Sequence, residues 1–173
     1  KRLDWSIERR NEIAKKYDFT PIMWSDMFFR LANNGEYYPA EPTITDEVVK
    51  LLPKNLGLVY WDYYHTDEDY MAKMMRAHLK SGNETWFAGG AWTWQGFAPF
   101  NRFSMKTSRL AMRACRKYGI KNVFITVWGD NGRECSPNAI LPSLFYAKQV
   151  YDGNENLKDI KAKFKEALGE DFD

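Results

Sequence analysis

The stretch KNVFITVWGDNG, residues 121–132, joins a strand pattern to a polar corner. Its apolar run Val123–Val127 is rich in β-branched and aromatic side chains, which is typical of a strand covered on both faces. The pattern breaks at Trp128 and Gly129, and Asp130 follows two residues after the indole. The stretch therefore predicts a buried strand that runs out into a loop carrying a large aromatic ring and a carboxylate.

The same arrangement, an aromatic residue and an aspartate two residues later, ends two earlier strand-like runs. Trp24 and Asp26 belong to the first of these runs, and Tyr60 and Asp62 to the second. A further run ends at Trp92 after a pair of glycines. The predicted strands are Phe19–Trp24, Leu56–Trp61, Thr85–Trp92 and Val123–Val127.

Helical periodicity fills most of the chain between these runs. The predicted helices are Leu3–Tyr17, Val48–Leu52, a helix that begins at Thr66–Asp69 and ends by Ser81, Ser104–Tyr118, Ala139–Tyr151 and Leu157–Leu168. Thr45 and Gly119 are predicted as helix caps, and Ser25–Thr45 as a long irregular loop rich in Asn, Gly and Pro. Strands that alternate with helices indicate an α/β fold of four β/α units on a parallel sheet, plus a final helix.

Composition limits the class of protein. The chain has 173 residues, enough for one domain with a real core. A net charge of +2, without a dense run of Lys and Arg, argues against nucleic-acid and membrane partners. Aromatic residues make up 16%, including 7 Trp and 10 Tyr, and this excess requires either a large core or a ligand surface. No glycine-rich phosphate-binding loop follows a strand, so nucleotide-binding folds fit poorly.

Cysteine and histidine spacing gives no metal site, and we predict no cofactor. Cys115 and Cys135 have neither metal-ligand spacing nor the pattern of a disulfide framework, and Cys115 is expected in a helix core. We expect His65 to be hydrogen-bonded in a loop and His78 to lie on a helix surface. The chain opens directly on a helix pattern without a signal peptide, which suggests a fragment of a longer protein and leaves its localisation open.

The aromatic and acidic residues are all expected at one edge of the sheet. Ligand groups in parallel β/α folds gather at the carboxyl ends of strands, and residues two apart on an extended chain project to the same side. Indole rings cover the C–H faces of a pyranose and carboxylates accept hydrogen bonds from its hydroxyls, which indicates a sugar site. The alternative is that the rings only fill the top of the core, that Asp26 caps a helix or loop, and that Asp62 pairs with His65 or with a helix N-terminus.

Four segments in order, WSDMFFR, YWDYYHTDEDY, WFAGGAWTW and VWGDNG, resemble the second half of the catalytic barrel of glycoside hydrolase family 20, the β-N-acetylhexosaminidases. The resemblance runs from Tyr17 to about Tyr151. It implies that residues 1–173 form a single partial domain, the C-terminal half of a (β/α)8 TIM barrel with its fifth to eighth strands. It also implies hydrolysis of terminal β-linked N-acetylglucosamine or N-acetylgalactosamine by substrate-assisted retention, in which the substrate's acetamido oxygen attacks the anomeric carbon.

The resemblance assigns roles residue by residue. Tyr60 is similar to the tyrosine whose hydroxyl binds the acetamido carbonyl. Asp62 is similar to an acid that contacts a sugar hydroxyl or supports a residue that does. Asp130 stands where many members have a glutamate that contacts O4 and O6, and Asn131 is a candidate to share that role. The indoles similar to those that wall the acetamido pocket and floor the sugar are Trp24, Trp92 and Trp128, and position at the strand ends adds Asp26 and Trp94.

The family's catalytic Asp-Glu pair has no counterpart in this chain. It follows the fourth strand of the barrel, whereas Asp46-Glu47 and Asp67-Glu68 sit at predicted helix starts. We therefore expect the parent protein to be a glycoside hydrolase, and this chain alone to bind N-acetylhexosamine-containing glycans without hydrolysing them. A four-stranded sheet with open edges is also expected to associate as a homodimer.

Two other interpretations remain open. One is a self-standing, non-catalytic carbohydrate-binding β/α module. The other is half of a different glycosidase barrel, chitinase-like or amylase-like. Calorimetry with N-acetylglucosamine and with glucose separates the sugar specificities, because an acetamido pocket prefers the former.

Overall fold

The computed structural model of the chain describes residues 2–173, and the side chains of residues 6–130 and 132–173. The strands are β1 (Ile22–Trp24), β2 (Gly57–Trp61), β3 (Thr85–Gly90) and β4 (Asn122–Thr126). The helices are α1 (Arg2–Lys16), α2 (Asp26–Ala32), α3 (Asp46–Leu51), α4 (Glu68–Lys80), α5 (Asn101–Tyr118), α6 (Leu141–Tyr151) and α7 (Leu157–Leu168). Every predicted strand and helix is therefore present, with ends moved by a few residues.

The strands form one sheet in the order β1-β2-β3-β4, and all of them are parallel. The register between β1 and β2 places Ile22 beside Gly57 and Trp24 beside Val59. Gly57 fits there because a Cβ at its position would lie 2.8 Å from Ile22 Cγ2. The predicted α/β class and parallel sheet are thus confirmed, and the sequential order is what successive strand–helix–strand crossovers produce.

β4 is an edge strand, and the prediction that it is covered on both faces is wrong. All of its residues, Asn122 to Thr126, are only half-buried, whereas Gly57 to Tyr60 of β2 are buried. Within the described residues β4 has a neighbouring strand on one side alone. An apolar run does not distinguish a central strand from an edge strand, because both present hydrophobic side chains to the layers above and below.

The chain divides into two compact units, and the boundaries fall at the end of β2, inside α4 and inside β3. Unit 1 comprises Lys1–Trp61 and Ala72–Phe87, and unit 2 comprises Asp62–Met71 and Ala88–Asp173. Each unit has its own buried apolar side chains. Examples are Phe28 and Leu58 in unit 1, and Met112 and Ile160 in unit 2.

In unit 1 the segment predicted as a long loop begins with a helix, so that prediction is wrong at its start. α2 follows β1 directly, with Ser25 at its N-cap position. Phe28 and Phe29 are completely buried, and this apolar pair anchors the helix. The Asn, Gly and Pro content that indicated a loop comes only from Asn33 onward, where the helix has ended.

His78 is a core residue of unit 1, so its predicted place on a helix surface is wrong. Its ring is fully buried and stacks on Phe29 with centroids 4.1 Å apart. Its Nδ1 lies 2.7 Å from the carbonyl of Met74 and its Nε2 lies 2.7 Å from Ser25 Oγ. A carbonyl only accepts, so Nδ1 carries the proton and Nε2 faces the serine hydroxyl. Burial lowers the pKa of His78 to about 4.

In unit 2 the long helix α5 packs along α6. It ends at Gly119, whose left-handed backbone (φ 68°) makes the predicted C-cap. Cys115 is fully buried in its apolar face, as predicted, and burial raises the pKa of the thiol. On its outer side Arg113 binds both carboxylate oxygens of Glu155. Across the part of the chain that the structure describes, none of the helices has the length and apolarity needed to span a membrane.

Candidate functional site

Aromatic rings cluster at the carboxyl end of β3 in unit 2, and Gly90 makes room for them. A Cβ at position 90 would lie 2.9 Å from Trp94 Cη2 and 2.9 Å from Tyr63 Cδ1. Tyr63 and Trp94 are both buried, and their rings meet edge to face with centroids 5.7 Å apart. The glycine therefore lets two large rings close over the end of the strand.

Trp92 is held firmly by its surroundings. Its backbone N–H donates to Ser104 Oγ at 2.9 Å, at the start of α5. Its indole Nε1 donates to the carbonyl of Tyr63 at 2.8 Å. Its ring stacks on Trp94 with centroids 4.7 Å apart, while Phe103 meets it edge to face at 5.0 Å. A half-buried indole in such a setting is ordered before any ligand arrives, which lowers the entropic cost of binding.

Tyr63 links this cluster to the loop that follows β4. Its hydroxyl hydrogen-bonds with the side chains of Thr126 and Trp128. An indole N–H can only donate, so the tyrosine oxygen accepts from Trp128. Burial raises the pKa of Tyr63, and these hydrogen bonds act against that rise. The Thr93 hydroxyl donates to the Trp128 carbonyl at 2.6 Å, so Trp128 is held through its backbone as well as its side chain.

Trp128 borders an open cleft of about 460 Å³ in unit 2. Its side chain is 41% exposed. The other lining residues are Thr93, Val127, Gly129, Arg133, Cys135 and Pro137, and none of these described residues is acidic. An exposed indole in a concave surface is a stacking platform, and a cleft of this size accommodates a small ligand such as a sugar.

Asp62 is buried and binds its own loop. Its Oδ1 accepts from the backbone N–H groups of Tyr64 at 3.0 Å and His65 at 3.1 Å. Its Oδ2 lies 2.8 Å from His65 Nδ1, and this hydrogen bond raises the pKa of His65. The expected loop hydrogen bond of His65 is confirmed. Asp62 is only 1% exposed and pairs with His65, which is the alternative to a sugar contact that the sequence left open for it.

The loop after β4 separates its indole from its acid. Asp130 begins a short 3-10 turn, Asp130–Gly132, where it is exposed and does not line the cleft beside Trp128. Extended geometry ends at Gly129 (φ −116°, ψ 39°), so residues 128 and 130 no longer project to one side. The side chain of Asn131 lies outside the described residues.

Three predicted site residues belong to unit 1. Trp24 ends β1 with 36% of its surface exposed. Asp26 begins α2, where its Oδ2 lies 3.8 Å from Nε of Arg30 one turn later, an arrangement that matches the helix-start alternative. Tyr60 is 0% exposed, and its ring centroid lies 5.1 Å from that of His78. The ring of Tyr60 is therefore part of the core of unit 1.

Two residues of the cluster and cleft were passed over in the sequence. Tyr63 holds Trp128, and its signal was the glycine pair before Ala91, because a glycine inside a strand marks a close approach of another group. Arg133 lines the cleft, and its side chain lies over Gly129. The sequence of a loop does not indicate which side chain folds back in this way, so Arg133 could not be predicted.

The structure gives no metal site among its described residues, and sequence comparison gives no related protein. Among the described residues, no three His, Cys, Asp or Glu side chains come together as they would around a metal ion. No family model and no curated protein matches the chain.

Proposed function

We propose that this chain is the sugar-binding half of a glycoside hydrolase family 20 catalytic barrel. The activity of the complete barrel is removal of terminal β-linked N-acetylglucosamine or N-acetylgalactosamine. One observation carries the proposal: the Trp128 indole stands 41% exposed beside a cleft of about 460 Å³ and is tied through Tyr63 to a second ordered indole, Trp92. An exposed indole at a concave surface suits the C–H face of a pyranose.

The architecture supports this proposal. Four parallel strands in sequential order, with helices between them, are what half of a (β/α)8 barrel contributes. Ligands of such barrels bind at the carboxyl ends of the strands. The aromatic cluster of unit 2 follows the carboxyl ends of β3 and β4, which is where the proposal requires a sugar.

Each residue of unit 2 has a distinct part in the proposed pocket. Trp128 lines the cleft and contacts the sugar, and Tyr63 keeps Trp128 in place. Trp92 is not among the described lining residues, and its indole N–H binds the Tyr63 carbonyl. Asp62 shapes the loop that carries Tyr63, because both of its oxygens are bound to that loop. Asp130, exposed on the turn after β4, is the candidate for the outer hydroxyls.

Hydrolysis is not expected from this chain alone. Substrate-assisted retention needs an Asp to orient the acetamido group and a neighbouring Glu to protonate the leaving oxygen. The Asp-Glu pairs here are in the first turn of α3 and at the start of α4, and neither lines the unit 2 cleft. The purified chain should therefore not cleave an aryl N-acetyl-β-glucosaminide, and turnover that co-purifies with it through independent columns would contradict this.

Calorimetry tests the sugar specificity directly. The chain should bind N-acetylglucosamine more tightly than glucose, because an acetamido pocket adds contacts that glucose cannot make. Trp128→Ala should weaken that binding by about tenfold or more, in line with the loss of a stacking ring. Trp86→Ala, which removes a partly exposed indole of unit 1, is the matched control and should leave the affinity unchanged. Loss of affinity in both variants, or in neither, would contradict the assigned site.

A second candidate function is a non-catalytic carbohydrate-binding module. The observation that favours it is the absence of any carboxylate among the described residues that line the cleft. A general sugar-binding surface would stack on Trp128 without selecting the acetamido group. Equal affinities for N-acetylglucosamine and glucose, both lost in Trp128→Ala, would support this module over the hexosaminidase half.

A further inference from the structure

Arg133 is the charged residue of the unit 2 cleft, the sole one among its described lining residues. It lies in the left-handed backbone region, with φ 60° and ψ 41°. This region is uncommon for a residue with a side chain, and such residues concentrate where function requires a particular placement. The conformation turns the arginine back toward the preceding residues of the loop.

Gly129 is what permits this placement of Arg133. A Cβ at position 129 would lie 2.2 Å from both Cγ and Nε of the arginine, and 2.7 Å from its Cδ. The arginine side chain therefore lies directly on the backbone of the residue that follows Trp128. Any other residue at position 129 would displace it, so the glycine and the arginine form a matched pair beside the indole.

The guanidinium has no partner within the described residues. Arg133 makes no hydrogen bond or ion pair there, and its neighbours Asp130 and Glu134 are exposed without pairing to it. A guanidinium offers five N–H donors in a planar fork that matches a carboxylate or sulfate. The cleft thus combines an apolar stacking face with an anion-binding group that has no partner among the side chains the structure describes.

We infer that this cleft binds a sugar that carries an anionic group, with the ring on Trp128 and the carboxylate or sulfate on Arg133. The inference deepens the proposed function, on which its sugar component rests, and adds charge as a determinant of specificity. A neutral N-acetylhexosamine uses the indole alone and leaves the guanidinium without a counter-ion. An anionic sugar uses both groups at once, and charge-assisted pairing with arginine is among the stronger polar contacts.

Indole NMR of the whole chain, with labelled tryptophan, tests this inference. The Trp128 signal is assigned with Trp128→Phe and followed during titration with N-acetylglucosamine, glucose, N-acetylglucosamine 6-sulfate, glucuronic acid and sodium acetate. At least one of the anionic sugars should bind about tenfold more tightly than N-acetylglucosamine, and this preference should weaken as salt is added. Whether the sulfate or the carboxylate gains more identifies the anionic group. Acetate that shifts the signal at the same concentrations as glucuronic acid would overturn the inference, because the sugar ring would then contribute nothing.

Variants distinguish specific binding by the Arg133 guanidinium from a nonspecific effect of the protein's positive charge. Arg133→Gln should abolish the anionic preference while leaving the neutral sugar unaffected. Gly129→Ala keeps the charge but displaces the arginine, and should abolish the preference too. Arg102→Gln is the matched control, since Arg102 is an exposed arginine of α5 outside the cleft lining and its loss should change nothing. Thermal unfolding of each variant verifies that it is folded, and a preference retained in folded Arg133→Gln would overturn the inference.

The same titrations distinguish failure of this inference from failure of the proposed function. If N-acetylglucosamine is preferred over glucose but anionic sugars gain nothing, the inference alone fails. If anionic sugars bind through Arg133 while N-acetylglucosamine has no advantage over glucose, the hexosaminidase proposal alone fails. If no sugar perturbs Trp128, both fail.

Discussion

His78 Nε2 lies 2.7 Å from Ser25 Oγ, and both side chains are 0% exposed. The contact joins α4 to the residue that follows β1 in unit 1. Burial lowers the pKa of His78 to about 4, so near neutral pH the imidazole is neutral in the folded chain, with its other ring nitrogen donating to the Met74 carbonyl. A proton added to it has no solvent to stabilise the charge, so this pair makes the stability of the protein depend on pH.

We predict that the free energy of unfolding decreases as the pH falls from 6.5 towards 4. The folded pKa of His78, about 4, lies below its ordinary value of 6.5, so in this interval the unfolded chain binds the extra proton. This difference between the folded and unfolded pKa values corresponds to a loss of about 3 kcal/mol of stability once the pH is below both values. Urea unfolding across this pH range measures it. His78→Gln should flatten this part of the profile, and an unchanged slope in that variant would contradict the assignment.

His65 should show the opposite behaviour. Its hydrogen bond to Asp62 raises its pKa, so the stability this pair provides is complete below the ordinary pKa and is lost as the pH rises through the folded value. Asp62→Asn should lower the pKa of His65, read from NMR titration of its ring proton. The ring signal of His78 is an internal control, since it should not respond. A His65 titration identical in both proteins would rule out the pairing.

Gly90→Ala should disturb the aromatic cluster. The added methyl would collide with Tyr63 and Trp94, and overpacking of this kind costs about 1–3 kcal/mol of stability. Sugar affinity should fall as well, because the displaced Tyr63 is the residue that holds Trp128. Gly119→Ala is the comparison: its Cβ meets open space, so only its left-handed backbone costs stability, about 1 kcal/mol, and sugar affinity should be retained. Equal effects on binding would show that the cluster does not shape the site.

Tyr63→Phe should make the Trp128 side chain more mobile without leaving a cavity in the core. The variant keeps the ring but removes the oxygen that accepts the indole proton, at a cost of about 1 kcal/mol. Relaxation of the Trp128 indole nitrogen should report greater motion, and sugar binding should weaken with it. Tyr64→Phe removes a hydroxyl from a side chain that is 49% exposed and should leave both measurements unchanged. An indole equally rigid in Tyr63→Phe would exclude this positioning role.

Local chemistry made much of the fold predictable. The helix Leu157–Leu168 was predicted with its exact bounds, and Gly119 and Thr45 cap their helices as expected, because capping depends on a few neighbouring residues. The errors have a different origin. α2 was hidden because loop-forming residues just beyond it dominated the segment, and the burial of His78 depends on Ser25, fifty-three positions away. Pairing at that distance leaves no periodic signal.

The candidate site was predictable by region rather than by residue. Trp92 and Trp128 were predicted as site residues because strands of a parallel sheet deliver their last residues to one edge, and of the two Trp128 lines the cleft. The rule that residues two apart share a side failed for Trp128 and Asp130, since it holds only while the backbone stays extended. The placement of Arg133 over Gly129 results from positive φ in a loop, which composition does not encode.

β4 has a consequence for isotope exchange. The Thr126 carbonyl accepts from Ala91, so Thr126 and every second residue before it face β3, while the amides of Val123 and Ile125 point away. Deuterium uptake along β4 should therefore alternate between slow and fast. A second copy adding a strand to this edge would slow the two fast amides and remove the alternation, whereas a concentration-independent pattern would mean that the edge stays open. The exchange rates of the Val123 and Ile125 amides thus report whether the sheet continues into another molecule.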